Sequence, residues 1–191
     1  TAPTTEPLSR TEAKNHLKVD HTDDDDLIDA LIQAARELAE AYTGRALMTQ
    51  TIEQYWDNFP TYSRFNKKCR LELRHAPIQL TSDDVEHVKY IDSDGNEQTL
   101  TFTTNYTIDT ITEPPSIYPA YNYSWPDTRD QVNAVYVQYI AGYSSASLVP
   151  AAIRQAMLLT IGKLYEQRED YVKKLPTAAE YLLNAFKIPH L

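Results

Sequence analysis

Four consecutive aspartates, Asp23, Asp24, Asp25 and Asp26, are the densest run of potential ligands in the chain. Carboxylates are the natural partners of a hard cation. Neighbouring side chains on a helix point about 100° apart, however, so four in a row do not converge on one ion. At a helix start they match the positive end of the helix dipole instead. Together with Asp29 they form an acidic patch suited to a basic neighbour. Asp92, Asp94 and Gly95 have the look of a calcium loop. Aligning Gly95 with the loop glycine leaves Tyr90 and Thr101 where the first and last acids belong, so a hairpin turn is the reading that remains. His16, His21, His75, His87 and His190 are scattered, with no HExxH spacing. No serine sits in a Gly-x-Ser-x-Gly elbow, and Gly44, Gly95, Gly142 and Gly162 are too far apart to cradle a phosphate. Cys69 is the single cysteine, which excludes an internal disulfide and every paired-cysteine zinc pattern. Lys67, Lys68 and Arg70 beside it would favour its thiolate, against the plainer role of a half-buried strand cysteine. No catalytic, cofactor-binding or metal-binding set emerges, and the chain reads as a non-enzyme without cofactors.

Two further groups are suited to larger partners. Arg64, Lys67, Lys68, Arg70 and Arg74 form the one basic cluster of an acidic chain, as a solvated strand face or as a contact to an acidic neighbour. Tyr118, Tyr121, Tyr123 and Trp125 lie in the proline-punctuated stretch 113–126. They could stack sugars or bases, or let a long loop lie flat over a sheet. Composition sets the bounds. The chain has 191 residues, 42% hydrophobic and 24% charged, close to globular averages and enough for one domain with an insertion. With 18 Lys+Arg against 27 Asp+Glu, its net charge of −9 argues against wrapping nucleic acid. It is compatible with a surface that DNA slides past. Apolar runs reach only about four residues where a membrane helix needs ~18, and no signal peptide opens the chain. The expectation is a soluble, non-secreted protein with no membrane partner.

The elements that position these groups follow a helix–sheet–helix order. Residues 1–7 are polar and proline-punctuated, and read as a flexible arm. Ser9 and Glu12 make a capping box that starts a short helix to about Val19. Leu27, Ile28, Leu31, Ile32, Ala35, Leu38, Ala39 and Tyr42 then recur at helical spacing, with Thr22 as the expected N-cap and Gly44 as the stop. From residue 49 the period changes to two. Strands are predicted at Thr49–Trp56, Cys69–Leu73, Val85–Ile91, Glu97–Thr103, Tyr106–Asp109 and Val132–Ile140, with Asp92 to Asn96 as a hairpin loop. The prolines of 113–126 predict neither a central strand nor a helix there. Pro150 opens a helix that buries Ile153, Met157, Thr160, Ile161 and Leu164. A last helix follows Pro176, with Thr177 and Glu180 as a second capping box and Tyr181, Leu182, Ala185 and Phe186 along it. The fold class is therefore α+β. Segments 8–48 and 150–191 form a helical core, in which Leu27, Leu31 and Leu38 meet Met157, Ile161 and Leu164. An antiparallel β region at 49–149 is inserted, within one domain overall.

The segment from Leu8 to Pro60 resembles the opening of the head–tail connector (adaptor) proteins of tailed bacteriophages and prophages. Leu8–Ala13, Val19-Asp20 and Glu40-Ala41-Tyr42-Thr43-Gly44-Arg45 carry most of the likeness. A second block follows: Tyr139 to Tyr143, Val149-Pro150 and Leu164 to Glu169 look like the family's closing strand and helix. The order of elements agrees across nearly the whole chain, while nothing is carried over for 104–130. The resemblance implies a structural virion protein that closes into a ring, commonly twelve-fold, beneath the portal at the head–tail interface. It would continue the DNA channel, let double-stranded DNA pass without specific binding, and offer a platform to the next neck or tail protein. Assembly would take place in the host cytoplasm. Ring closure would pair the acidic patch at Asp23–Asp26 and Asp29 with a neighbour's basic cluster at 64–74. The alternative is a carbohydrate- or ligand-binding module that uses the aromatic loop at 118–125.

Overall fold

The computed structural model describes residues 1–61, 69–78, 85–167 and 175–188. The chain divides into two compact units, one made of 3–49 and 143–191 and the other of 1–2 and 50–142.

The first unit is helical. Ser9 caps α1 (Arg10–Leu17) through the expected box: its hydroxyl accepts the Glu12 N–H at 3.2 Å, and its own N–H donates to the Glu12 carboxylate at 2.9 Å. Helix α2 (Asp25–Thr43) ends at Gly44, whose φ of 73° suits a residue without a Cβ. Helix α3 (Ala151–Glu166) packs against α1, α2 and α4 (Thr177–Asn184) and so sits at the centre. Two caps differ from expectation. Thr22 does not cap α2: it lies two residues before the N-cap position, which Asp24 holds, and its carbonyl accepts the Asp25 N–H. Nor does Thr177 cap α4, because Pro176 fixes the entry and its carbonyl takes the Glu180 N–H at 2.9 Å.

The core of this unit gathers Ile28, Ile32, Ala35 and Ala39 from α2 with Ile153, Ala156, Met157 and Ile161 from α3, and Ala179 and Leu183 from α4. Part of the expected stripe is therefore corrected. Leu27 is 37% exposed and Leu38 42%, while Leu31 and Leu164 are half-buried. The physical reason lies in the angular step of the helix. α2 has two apolar rows one residue apart, Ile28-Ile32-Ala35-Ala39 and Leu27-Leu31-Ala34-Leu38, about 100° from each other; the first lies fully in the core, and the second meets it only at the margin, through Leu31. On the last helix, Tyr181 is 81% exposed, and the buried positions are Ala179 and Leu183. The arm at 1–7 is also docked at its end. Glu6 pairs with Arg36, and Pro7 and Leu8 are buried.

The second unit is two antiparallel sheets. One has the strand order β1 (Gln50–Trp56), β7 (Val135–Ala141), β3 (Val85–Ile91), β4 (Glu97–Leu100). On β7, Val135, Val137, Tyr139 and Ala141 all point inward, as their period-two spacing requires. Val137 lies opposite Gln54 on one side and Val88 on the other. Strand β4 stops at Leu100, because Asn105 exchanges bonds with Thr101 and turns the chain. Strand β7 starts only at Val135, after Asn133 adopts φ 56° and gives its N–H to Asp57. The other sheet has the order β2 (Leu71–Glu72), β6 (Ser116–Pro119), β5 (Tyr106–Asp109). Here the expectation for 113–126 is overturned, since β6 is a central strand. Pro114 and Pro115 precede it and Pro119 is its last residue, so Ser116, Ile117 and Tyr118 keep the N–H groups a ladder needs.

Candidate functional site

The acidic patch is largely satisfied from within the chain. Arg10 Nε donates to Asp29 at 2.8 Å and its Nη1 to Asp25 at 3.1 Å, while Lys14 Nζ reaches Asp25 at 2.6 Å. The Tyr165 hydroxyl donates to Asp24. Hydrogen bonding from Lys14 holds the Asp25 carboxyl below its ordinary range, and hydrogen bonding from Arg10 does the same for Asp29. Asp23 and Asp26 remain exposed. Arg10 and Lys14 sit one turn apart on α1, which also packs Ala13 and Leu17 on the core, so both ion pairs and apolar contacts dock it. That i, i+4 pair of bases was the available sequence signal.

Of the basic cluster, Arg64, Lys67 and Lys68 lie outside the described residues. Arg70 is not a free contact: its guanidinium grips Glu72, two residues on, and its Nη1 donates to the Tyr118 hydroxyl at 3.2 Å. Arg74 is exposed. Asp24, Asp25, Asp29 and Arg70 thus each have a partner within their own unit.

The aromatic loop does not form a platform of parallel rings. Trp125 stacks flat on Phe59 at 4.7 Å and 6°, and its indole N–H donates to the Cys69 carbonyl at 2.7 Å. Phe59 in turn meets the edge of Tyr90 at 5.6 Å. Tyr121 stands alone at 94% exposure, and Tyr118 is engaged by Arg70. A cleft of about 600 Å³ opens beside this cluster, lined by Phe59, Cys69, Tyr123, Ser124, Trp125 and Asp127. Cys69 is half-buried but precedes β2, with φ 39°, instead of lying in the strand.

Three buried polar residues escaped sequence reasoning. Gln54 on β1 donates from Nε2 to the Glu72 carbonyl at 3.0 Å and accepts the Arg74 N–H at 3.0 Å, joining the two sheets. Arg36 is 4% exposed between Glu6 at 2.9 Å and Glu40 at 2.8 Å. Burial lowers its tendency to hold a proton, and the two carboxylates more than offset that. Arg45 donates from Nε to the Phe186 carbonyl at 2.7 Å. The segment Glu40 to Arg45 becomes intelligible as a unit. Glu40 takes the Leu47 N–H, Tyr42 bonds Asn184, the Thr43 carbonyl takes the Ile188 N–H, and Gly44 makes the turn. Its work is to hold residues 184–188 against the end of α2.

Among the described residues, no three or more His, Cys, Asp or Glu are placed to share a metal ion, and no helix is long and apolar enough to cross a membrane. The architecture is a helical unit interrupted by a β unit of two antiparallel sheets. The chain belongs to the phage gp6-like head-tail connector protein family, whose family model matches residues 11–108. Its fold is similar to a chain in a structure described as the virion of a native gene transfer agent (GTA) particle. The TM-score is 0.78 and the identity 19%, covering 100% of this chain and 94% of that one. It is also similar to chains in the neck of an empty GTA particle computed with C6 symmetry (TM-score 0.76, 20% identity) and the neck of a native GTA particle computed with C12 symmetry (0.73, 20%), with the same coverage. At these identities the likeness establishes the fold. A search of curated proteins finds no match.

Proposed function

We propose that this chain is a structural subunit of a phage-like particle's neck, which closes into a ring beneath the portal and offers a platform to the next neck or tail protein. The observation that carries the reading is the whole-chain likeness. All of this chain aligns with 94% of subunits from GTA particle necks and virions, in structures treated with six- and twelve-fold symmetry. Membership of the connector family supports the same role. The role needs rigidity and surface chemistry, and no catalysis.

The electrostatics fit a channel. A subunit with a formal charge of −9 repels the phosphate backbone, so a ring of such subunits passes double-stranded DNA without holding it. Ring closure requires two different patches per subunit, each meeting its counterpart on a neighbour. The exposed acids at the start of α2, Asp23 and Asp26, and the exposed base Arg74 belong to two such patches of opposite sign. The location that follows is the head–tail interface of the particle, reached after assembly in the host cytoplasm. The ligand-binding alternative fits less well, because Trp125 already lies face to face with Phe59.

Co-sedimentation with purified portal rings, followed by electron-microscopic class averaging, tests the proposal. A ring coaxial with the portal is expected. Failure to bind portal rings, with affinity for a sugar in its place, would move the reading to the alternative.

A further inference from the structure

The four-stranded sheet has two edge strands, β1 and β4. Direction alternates across it, β1 against β7, β7 against β3 and β3 against β4, so the two edge strands run opposite ways. Along an antiparallel pair, successive residues turn their backbone groups to alternate sides. The Ile91 N–H donates to the Ala134 carbonyl at 2.8 Å, which aims the even-numbered groups of β7 at β3 and the odd-numbered ones at β1. With Gln54 opposite Val137, the N–H and C=O of Thr51, Glu53 and Tyr55 face away from the sheet. On the far side, the Asp92 N–H donates to the Asn96 carbonyl at 2.9 Å, which turns the same groups of Glu97 and Thr99 outward from β4.

Both edges are closed at one end. The Thr1 amine donates to the Thr51 carbonyl at 2.7 Å, and Asn105 exchanges bonds with Thr101. Among the described residues nothing takes the outward backbone groups of Glu53 and Tyr55, or of Glu97 and Thr99, and all four residues are exposed. Each edge thus presents two residues at the same spacing. Neither carries the usual blocks against strand addition: β1 and β4 contain no proline or lysine, and their registers run without a bulge.

The two edges fit each other. Copies set side by side in the same orientation bring β4 of one antiparallel to β1 of the next, which is the pattern of every pair within the sheet. Placing Thr99 opposite Glu53 and Glu97 opposite Tyr55 makes four main-chain bonds and sets neither glutamate against the other. Pairing β1 with β1 about a two-fold axis would stop at two copies and leave β4 bare. Pairing β4 with β1 satisfies both edges of every copy, and such a contact of unlike surfaces repeats until a ring closes. We infer that the subunit–subunit contact is main-chain pairing between β4 of one copy and β1 of a second copy of this chain. The inference rests on the ring reading above and adds the surface that closes it.

Proline at an outward N–H removes a donor of this seam and none of the sheet's own. Glu53→Pro and Thr99→Pro each keep the circular dichroism spectrum of the folded chain, and each lowers the assembled fraction at least ten-fold in sedimentation velocity with portal rings present. Glu53→Ala and Thr99→Ala retain the N–H and assemble like the wild type. An equimolar mixture of the two proline variants has one intact seam, β4 of the Glu53→Pro chain on β1 of the Thr99→Pro chain, and gives two-copy species without rings. Amide exchange of the wild type reads the seam with no substitution: residues 53, 55, 97 and 99 exchange freely in the single chain and are protected in the ring. Rings that persist in both proline variants, alanine variants as defective as the proline ones, two-copy species from Thr99→Pro alone, or amides that stay unprotected in the ring would overturn this inference and leave the ring reading standing. A wild type that forms no ring, alone or with portal, would overturn both.

Discussion

Gln54 shows how much one side chain decides in the β unit. It is buried on β1, and its amide answers a carbonyl and an N–H of the other sheet, with the Tyr139 hydroxyl donating to it at 3.4 Å. Burial pushes the Tyr139 phenol up to about 12, so that hydroxyl stays a donor across the whole working range. Gln54→Leu keeps the size but leaves those groups unanswered, and should cost about 2–3 kcal/mol in urea denaturation. A change below ~0.5 kcal/mol would mean the sheets are joined by packing alone. Gly95 makes the opposite point, about backbone. It has φ +91°, and a Cβ there would stand 2.6 Å from Arg129 Nη1. Gly95→Ala should cost roughly 1 kcal/mol or more, and Arg129→Ala in the same chain should recover only the steric part. Gly95 was legible as part of the hairpin turn between β3 and β4, whereas Gln54 was not. A buried glutamine in an alternating strand looks like a solvent-facing one until its partner strand is known. Asp92 was legible by contrast, because a turn-rich five-residue connector needs an acceptor, and its carboxylate takes the N–H groups of Asp94 and Asn96.

Among the elements, periodicity predicted best where one face is plainly apolar. Strand β3 spans the predicted Val85–Ile91, and β1 and β5 match within a residue. Strand β6 was hidden because proline content was read over a window, while the ladder depends on which individual residues keep an N–H. α2 was found, yet its buried face was drawn too wide. Its two apolar rows lie only about 100° apart, and spacing alone does not say which one meets the core. The difference is measurable. Ile32, 2% exposed, should cost about 2–4 kcal/mol on change to alanine, and half-buried Leu31 about 1 kcal/mol. Equal losses would contradict the division into an inner and an outer row.

α1 is held differently, with Ala13 its single buried residue and ion pairs to two other helices. From α2 it faces Asp25 and Asp29, and from α3 Arg154, which grips Glu12; its own groups there are Arg10, Glu12 and Lys14. Backbone and hydroxyl bonds from Ser9, then Arg154, hold Glu12 below its ordinary range, as Lys14 and Arg10 do for Asp25 and Asp29. Groups with lowered folded-state values stabilise above the unfolded carboxylate range, about 4, and lose that contribution as pH falls through their folded values. Hydrogen exchange of residues 10–17 should therefore speed up below pH ~4 and in high salt, before the rest of the helical unit opens. Exchange that stays uniform across all four helices would show that α1 is fixed by packing.

At the scale of the whole molecule, the sequence revealed the helix–sheet–helix order and the family, while the pairing of charges within the chain was not legible in it. Acidic and basic runs were counted along the chain, whereas Arg10, Lys14 and Glu72 neutralise them across a helix face or along a turn. Left exposed after that pairing are Asp23, Asp26 and Arg74, with Leu27 and Leu38 on the outer side of α2. The most direct test is the rotational symmetry of the particles that form when the purified chain is mixed with portal rings and imaged by electron microscopy. Closed rings of this chain, coaxial with the portal and twelve-fold in their class averages, are the result expected. A chain that stays monomeric in the presence of portal rings, at every concentration and salt level tried, would contradict the account.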